Sequence, residues 1–497
     1  MKRKNAVSSL FRGGRIESTK KEVSRFISSI KDDVKLLKHV VEINKAHTVM
    51  LMEQKIIDEE DAVKILKALK LGEFKVKPWL EDIHVCVEEE VIKRAKEAGE
   101  NLHIAKSRND QVATAIRMEL REELIDLMNT IIDFQTKLLT KAEKHVSTII
   151  RGYTHLRPAQ PTTFAHYLMY HFDVFQRHFE RLAECYRRVN VCPMGAAALA
   201  TTSFPINRER VAELLGFDKV LENSMDAVSS RDFVMETLAI LSMIAIEISR
   251  LVEDLIIWSA PEFNLIDIPD EFCSTSSIMP QKRNPDVLEV IRARMSYVVG
   301  NFAICALILK SLPSGYNLDF QEVTPKLWES LAKITEALKI LSKLIAQCKP
   351  IQDLKNPNIS FSTFTELVRV LFQKYHIPFR TAHKVVGALV RKLVQEGLNP
   401  EDLTSEMLGE VAKEVASINL KVDEDDIKSS IDVINFVKMH NVLGGPSPIE
   451  MRKMIRSRRG ILSFSRTQIA KMKEKITDAN KKLNDLVERL VAQLNNN

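Results

Sequence analysis

The sequence predicts an all-α protein built around a bundle of long helices. Apolar residues recur every three or four positions through the middle of the chain. Glycine and proline are sparse, 15 and 17 in 497 residues, and no stretch alternates long enough to make a sheet. Leu120, Leu124, Leu127, Ile131, Leu138, Ala142 and Val146 mark one face of a first long helix. Phe233 to Ser259 forms a second, apolar on nearly all sides, which must be enclosed by other helices. A third runs from Asp286 to Leu312 behind Asn284-Pro285, and a fourth begins at Pro325 and carries Leu327, Leu331, Ile334, Leu338, Leu341 and Ile345.

These segments divide the chain into three parts. Residues 1–110 read as an N-terminal helical domain, 111–352 as the central long-helix bundle, and 353–497 as a C-terminal helical domain. The piece DLKNPNISFS reads as the linker to the last part, with breaks at Pro378, Pro400 and Gly444-Gly445-Pro446 and a charged amphipathic helix from Ser465 to the end. One chain has too few long helices to enclose the Phe233 to Ser259 segment, so self-association through the bundle is expected.

Composition narrows the function classes. Hydrophobic residues are 45% and charged residues 28%, and the formal charge of +6 is too small for a nucleic-acid binder. The six cysteines lie far apart and read as reduced packing residues. The basic start lacks the apolar stretch of a signal peptide, and the most apolar run, Leu238 to Ile246, is too short to span a bilayer. A cytoplasmic protein without membrane partners is expected. His166 and His171 are five apart, not on one helix face, and no HExxH, paired-Cys, GxxxxGK[ST] or strand-borne GxGxxG occurs. No metal and no cofactor are therefore expected.

Chemistry is expected in three polar loops, Ser107 to Gln111, Gly152 to Thr163 and Ser274 to Asp286, each placed before a helix. Free N–H groups and partial positive charge at a helix start suit carboxylates, although Ser, Asn and Asp also serve there simply as caps. Arg108, Gln160, Arg231 and Ser277 are candidate carboxylate or hydroxyl partners.

The segment TSSIMPQKRNP resembles the signature of the fumarase/aspartase superfamily, whose members release fumarate by breaking C–N or C–O bonds. SRNDQ, GYTHLRPAQP, NSMDAVSSRDF and YNLDFQE resemble the argininosuccinate lyase family within it, as do FRGGR, SRFISSI, EDIH and HIPFRTAHKVVG. The resemblance implies a fumarase/aspartase-like fold and cleavage of argininosuccinate to arginine and fumarate without a cofactor. It also implies a homotetramer whose sites draw loops from three subunits. It assigns the base to Ser276 and stabilisation of the aci-carboxylate to Lys282 and Asn284. His155 becomes the proton donor to the leaving nitrogen, oriented by Glu289. Ser29, Asn109, Thr154, Tyr316 and Gln321 become substrate contacts.

The chain departs from that pattern in places. Thr275, Ala105, Ala197 and Thr201 stand where the family has glycine, and Thr324 stands where a substrate-binding lysine is usual, with Lys326 two residues on. Two other readings stay open on sequence. One is another fumarate-releasing lyase such as adenylosuccinate lyase, whose signature often carries KRN. The other is a silent structural homologue like the lens crystallins.

Overall fold

A computed structural model describes residues 10, 15, 19–70, 73–352, 354, 359 and 361–494. Most of FRGGR and of the 353–362 linker lie outside them. The elements that organise the molecule are α1 (Leu37–Glu53), α2 (Glu59–Lys70), α3 (Arg108–Lys144), β1 (Ile149–Thr154), β2 (Arg157–Thr163), α4 (Phe164–Val189) and α5 (Asp232–Ser259). They continue with β3 (Ser274–Thr275), β4 (Arg283–Asn284), α6 (Asp286–Leu309), α7 (Phe320–Gln347), α8 (Val433–Met439) and α9 (Pro448–Leu494). The fold is all-α, as the periodicity predicts.

Helix α3 begins where the sequence places a cap. Ser107 accepts from the Asn109 N–H, and Asp110 returns a bond to the Ser107 N–H, so SRND is a capping box. Further along α3, two buried arginines close the C-terminal end of α4. Arg117 donates to the Arg188 and Val189 carbonyls at 2.9 and 3.2 Å and stacks on Phe233. Arg121, fully buried, donates to Asn190 Oδ1 at 3.1 Å and lies over Phe217. Cations at carbonyls left open by a helix end are favourable, and the aromatic faces replace the lost hydration.

Helices α3 to α7 pack along one another, and α9 runs back over α3 and α2. Side chains of α9 from Met451 to Val491 share the main core with residues as early as Ile30. A second core unites Phe364 to Ile427, and a small third one joins Ile149 of β1 to Ile359 and to Val433, Phe436 and Val437 of α8. The expected terminal helix thus starts earlier, at Pro448, and Pro325 lies one turn inside α7 rather than at its start.

Two expectations are corrected. The stretch read as a loop from Gly152 to Thr163 is largely an antiparallel hairpin, β1–β2, whose first strand opens on Ile149-Ile150 and which carries Tyr153 and threonines that suit strands. The helix in need of cover is α6 rather than α5. Helix α5 buries Phe233, Leu238, Leu241, Ile248, Leu255 and more. In contrast, α6 buries one narrow seam, Leu288, Ile291, Met295, Val298, Asn301 and Cys305. It leaves Val290, Tyr297, Ile304 and Leu307 open, Tyr297 at 61% and Leu307 at 64%. By length and composition α6 is also the one helix among the described residues that could cross a membrane, although its most apolar stretch is only 28% buried here.

A cluster of His39, Glu119 and Glu122 joins α1 to α3 with the geometry of possible metal ligands. Its charges are already matched: Lys38 pairs with Glu122 at 2.6 Å, Lys35 with Glu119 at 3.2 Å, and His39 Nε2 with Glu119 at 2.9 Å. Burial opposes charge on His39, but the bonds to Glu119 and Glu42 prevail and raise its pKa. This is an ion-pair network between helices.

Four other histidines are buried without a carboxylate partner. Burial lowers His47 and His171 to about 3, and His84 and His178 to about 4. These groups bind a proton only after unfolding, so each removes stability as pH falls below 6.5. Burial raises Asp33 to about 7 and Asp110 to about 6, and these two act in the opposite sense because the folded state protonates first. The four histidines outweigh these two carboxyls, so acidification from pH 6 to 5 should lower stability. Urea unfolding at the two pH values should show this loss; equal or greater stability at pH 5 would contradict it.

Candidate active site

The candidate residues fall into three groups within one chain. The first lines a narrow cavity of about 140 Å³ that includes Ser29, Arg108, Arg231, Tyr316 and Gln321. Segments far apart in sequence therefore converge, because α3, α5 and α7 all begin at this end of the bundle. Gln321 donates to the Ile27 carbonyl at 3.0 Å, and Arg108 forms an ion pair with Asp82. Asp82 also caps the following helix by accepting from the Val85 N–H at 2.9 Å, which fixes the carboxylate that holds Arg108.

Arg231 is the most constrained member. It is 3% exposed, its Nη1 donates to the Ser230 carbonyl at 2.8 Å, and its guanidinium lies over Phe320 at 4.3 Å. Its Nε and Nη2 have no hydrogen-bond partner. Burial lowers its pKa to about 10, with Tyr316 opposing. Unsatisfied buried N–H groups of a guanidinium are costly, and an anion delivered to them would be held firmly.

Two lining residues were not assigned from sequence. Asp33 receives the Ser29 hydroxyl at 2.5 Å, and burial raises its pKa to about 7 with Asp82 adding to the effect. Asp82 lies in the EDIH motif, whose individual roles the sequence left open, and the four-residue spacing from Ser29 was the available sign of Asp33. Together the cavity presents four carboxyls, those of Asp32, Asp33, Glu81 and Asp82, and two guanidinium groups, so it can meet both an ammonium and a carboxylate.

Asn109 stands beside this cavity without lining it. Its amide donates to the Ala198 carbonyl at 3.0 Å. The loop it touches is organised by buried Asp110, which accepts from the Gly195 and Ala197 N–H groups at 3.1 and 2.8 Å. Ala105, Ala197 and Thr201, the residues in place of family glycines, keep positive φ values of 58°, 53° and 60°. The backbone shape is retained although the side chains disfavour it. Thr275 differs: it is in β3, paired with Arg283, where a β-branched residue fits.

The second group is the signature loop. Strands β3 and β4 close its base, Ser274 donates to Asp286, and Arg283 pairs with Asp270 at 2.8 Å and Asp267 at 3.2 Å. The tip is open to solvent, with Ile278 at 86% exposure. Ser276 Oγ accepts from the Ile278 and Met279 N–H groups at 3.3 and 3.1 Å. Two aimed amide donors favour the alkoxide form of a hydroxyl. Ser277 and Lys282 are exposed, Asn284 is half-buried in β4, and Glu289 is exposed in the first turn of α6.

The third group is the β1–β2 hairpin, which carries Thr154, His155 and Gln160, all exposed. Thr154 pairs with Arg157, so His155 and Leu156 form a two-residue turn, each with φ of 55°. Such turns favour Asn-Gly, and two non-glycine residues there store strain. His155 lines a separate aromatic cavity of about 550 Å³ with Tyr153, Tyr167, Tyr170 and Trp258. Within one chain neither it nor the signature loop lines the first cavity.

A family model described as "Lyase" matches residues 16–300, and one described as "Argininosuccinate lyase C-terminal" matches residues 361–438. The argininosuccinate lyase of Methanocaldococcus jannaschii is 42% identical over 459 residues, covering 90% of this chain and 93% of that protein. That of Methanococcus aeolicus is 40% identical over 504 residues, covering 99% of both. The chain belongs to the argininosuccinate lyase family. Among solved structures, an EDDS lyase in complex with formate has a TM-score of 0.86 at 28% identity, covering 92% of each chain. A class II fumarase from Schistosoma mansoni, at 15% identity, shares the fold with a TM-score of 0.71 over 85% of this chain and 96% of that one. The protein is a lyase of this family.

Leu156 is 62% exposed, so its positive φ is not offset by packing. Leu156→Gly should raise stability by roughly 0.5–1 kcal/mol, the relief of strain less the entropy of the freer unfolded chain. Chemical denaturation would measure it, and a loss of stability would show that the turn is not strained.

Proposed function

We propose that this protein cleaves argininosuccinate to arginine and fumarate, without a cofactor, as a cytoplasmic enzyme of arginine biosynthesis. The observation that carries the reading is the convergence of Ser29, Arg108, Arg231, Tyr316 and Gln321 on one cavity. That cavity fits the amino-acid end of a zwitterionic substrate. Thr324 lines it in place of the usual lysine, while Lys326 pairs with Glu329 at 3.7 Å and is not among its lining residues. Arg108 and Arg231 are then the cations that receive the carboxylate.

Elimination is anti. Ser276, as the alkoxide, takes the proton from the carbon beside a carboxylate and becomes a hydroxyl. The electron pair left behind is held as an aci-carboxylate by Lys282 and Asn284. When the C–N bond breaks, its electrons pass to the guanidino nitrogen, which takes a proton from His155, while Glu289 orients the imidazole. Asn109, Thr154, Gln160 and Ser277 complete the contacts to substrate.

A homotetramer, with each site drawn from three subunits, accounts for two features. The open apolar face of α6 requires cover, since a patch including Tyr297 and Leu307 is costly in water. The cavity, the signature loop and the His155 turn, apart in one chain, need other copies to meet.

Purified protein supplied with argininosuccinate should release fumarate, measured by ultraviolet absorbance. Release from adenylosuccinate alone would replace the reading, and no release from either would leave a structural homologue. Ser276→Ala should keep the assembled mass and lower kcat by roughly 10²–10⁴-fold. An unchanged rate would remove Ser276 from the reaction. Replacing Tyr297 and Leu307 together by Glu should yield smaller species in light scattering with loss of turnover. A fully active monomer would refute the shared site.

A further inference from the structure

We propose that His166 is a positioning residue for His155, tying the hairpin that bears it to the turn before α9 through both ring nitrogens. This rests on the function proposed above, in which His155 is the proton donor. His166 occupies the first turn of α4, immediately after β2. Its Nε2 meets the Gly444 carbonyl at 3.0 Å, and its Nδ1 meets the Thr162 hydroxyl at 2.8 Å. A carbonyl only accepts, so Nε2 carries the proton. Nδ1 is then the lone pair, and Thr162 donates to it. Burial favours this neutral form, partly offset by the Gly444 contact. One side chain thereby joins β2 to a segment 278 residues beyond His166 in the chain.

Both ends of the tie are rigid. Thr162 is paired with Ile150 across the hairpin, and a Cβ on Gly152 would collide with the Gln160 carbonyl, so β1 and β2 lie close. Arg151 donates to the Phe263 carbonyl, fixing β1 from its other side. At the far end Gly444 has φ of +83°, and Gly445 has no room for a Cβ beside the His440 carbonyl. The Gly445 N–H bonds to the Val442 carbonyl at 2.8 Å. This glycine pair, a break in the sequence to which no function was attached, aims a carbonyl at His166. Apolar contacts run beside the tie, from Ile149 to Val433, Phe436 and Val437.

His155 needs such support. An isolated two-stranded hairpin is marginal in water, and a strained turn persists only where its surroundings impose it. His155 and His166 line the same cavity, so the tie acts at the base of the arm whose tip carries the acid. Without it the hairpin would sample other positions, and the imidazole would meet the leaving nitrogen less often, slowing the chemical step more than binding.

The test compares His166→Ala, His166→Gln, Thr162→Val and the double variant His166→Ala/Thr162→Val in the full chain. Hydrogen exchange of residues 149–163 should rise about tenfold or more in His166→Ala, with α3 unchanged. The kcat should fall by about tenfold or more, with KM within about twofold. Glutamine, whose amide can reach Gly444, should restore most of both. The double variant should be no worse than His166→Ala, since both remove one link. Unchanged hairpin exchange, equal changes in kcat and KM, or additive losses would each overturn the proposal. If the wild-type protein releases no fumarate, the proposed function fails, while the exchange data still decide whether the tie exists.

Discussion

Helix α6 sets the terms for the molecule. It buries a single seam against its neighbours and presents the rest of an apolar surface outward, with Tyr297 and Leu307 more than half exposed. Burying such surface is among the largest favourable contributions available to a soluble chain. The same helix begins directly after the signature loop, so whatever covers α6 also fixes the surroundings of Ser276. In the proposed tetramer, association and completion of the site become one event.

Polar groups in the bundle follow a complementary logic. Arg117 and Arg121 are buried, yet each finds helix-end carbonyls and an aromatic face, so they serve the fold. Arg231 is buried to a similar extent and stacks on Phe320, but two of its N–H groups remain unpaired. Arg117 and Arg121 each leave only Nε unpaired, whereas Arg231 leaves Nε and Nη2, one whole edge of its guanidinium. The same contrast separates the matched His39 network from the exposed imidazole of His155.

Backbone strain is spread over several turns of the chain, and part of it lies beside the proposed chemistry. His155 and Leu156 form a turn that glycine or asparagine would fill more easily, and Thr201 sits at positive φ in the loop that meets Asn109. Ala105, Ala197 and Thr201, where the resemblance places glycine, hold positive φ in spite of their side chains. Contacts such as the bonds from Asp110 to the 195–197 backbone impose that conformation from outside.

Sequence alone carried the helical class, because periodicity of three and four is a local property that survives any tertiary arrangement. It also carried the start of α3, whose cap is written in four adjacent residues, and the grouping of motifs that marks the family. The short β1–β2 hairpin was not legible, since a two-residue turn at positive φ made of His and Leu lacks the usual signal. Nor was the identity of the exposed helix: α5 and α6 are similarly apolar, and only their packing decides which one is enclosed. The approach of Asp33 to Asp82 and Arg108 and the unpaired edge of Arg231 were decided by tertiary structure alone. The first depends on distances between residues far apart in the chain, which no local pattern of amino acids encodes, whereas Lys326 meets Glu329 as an i,i+3 neighbour on α7.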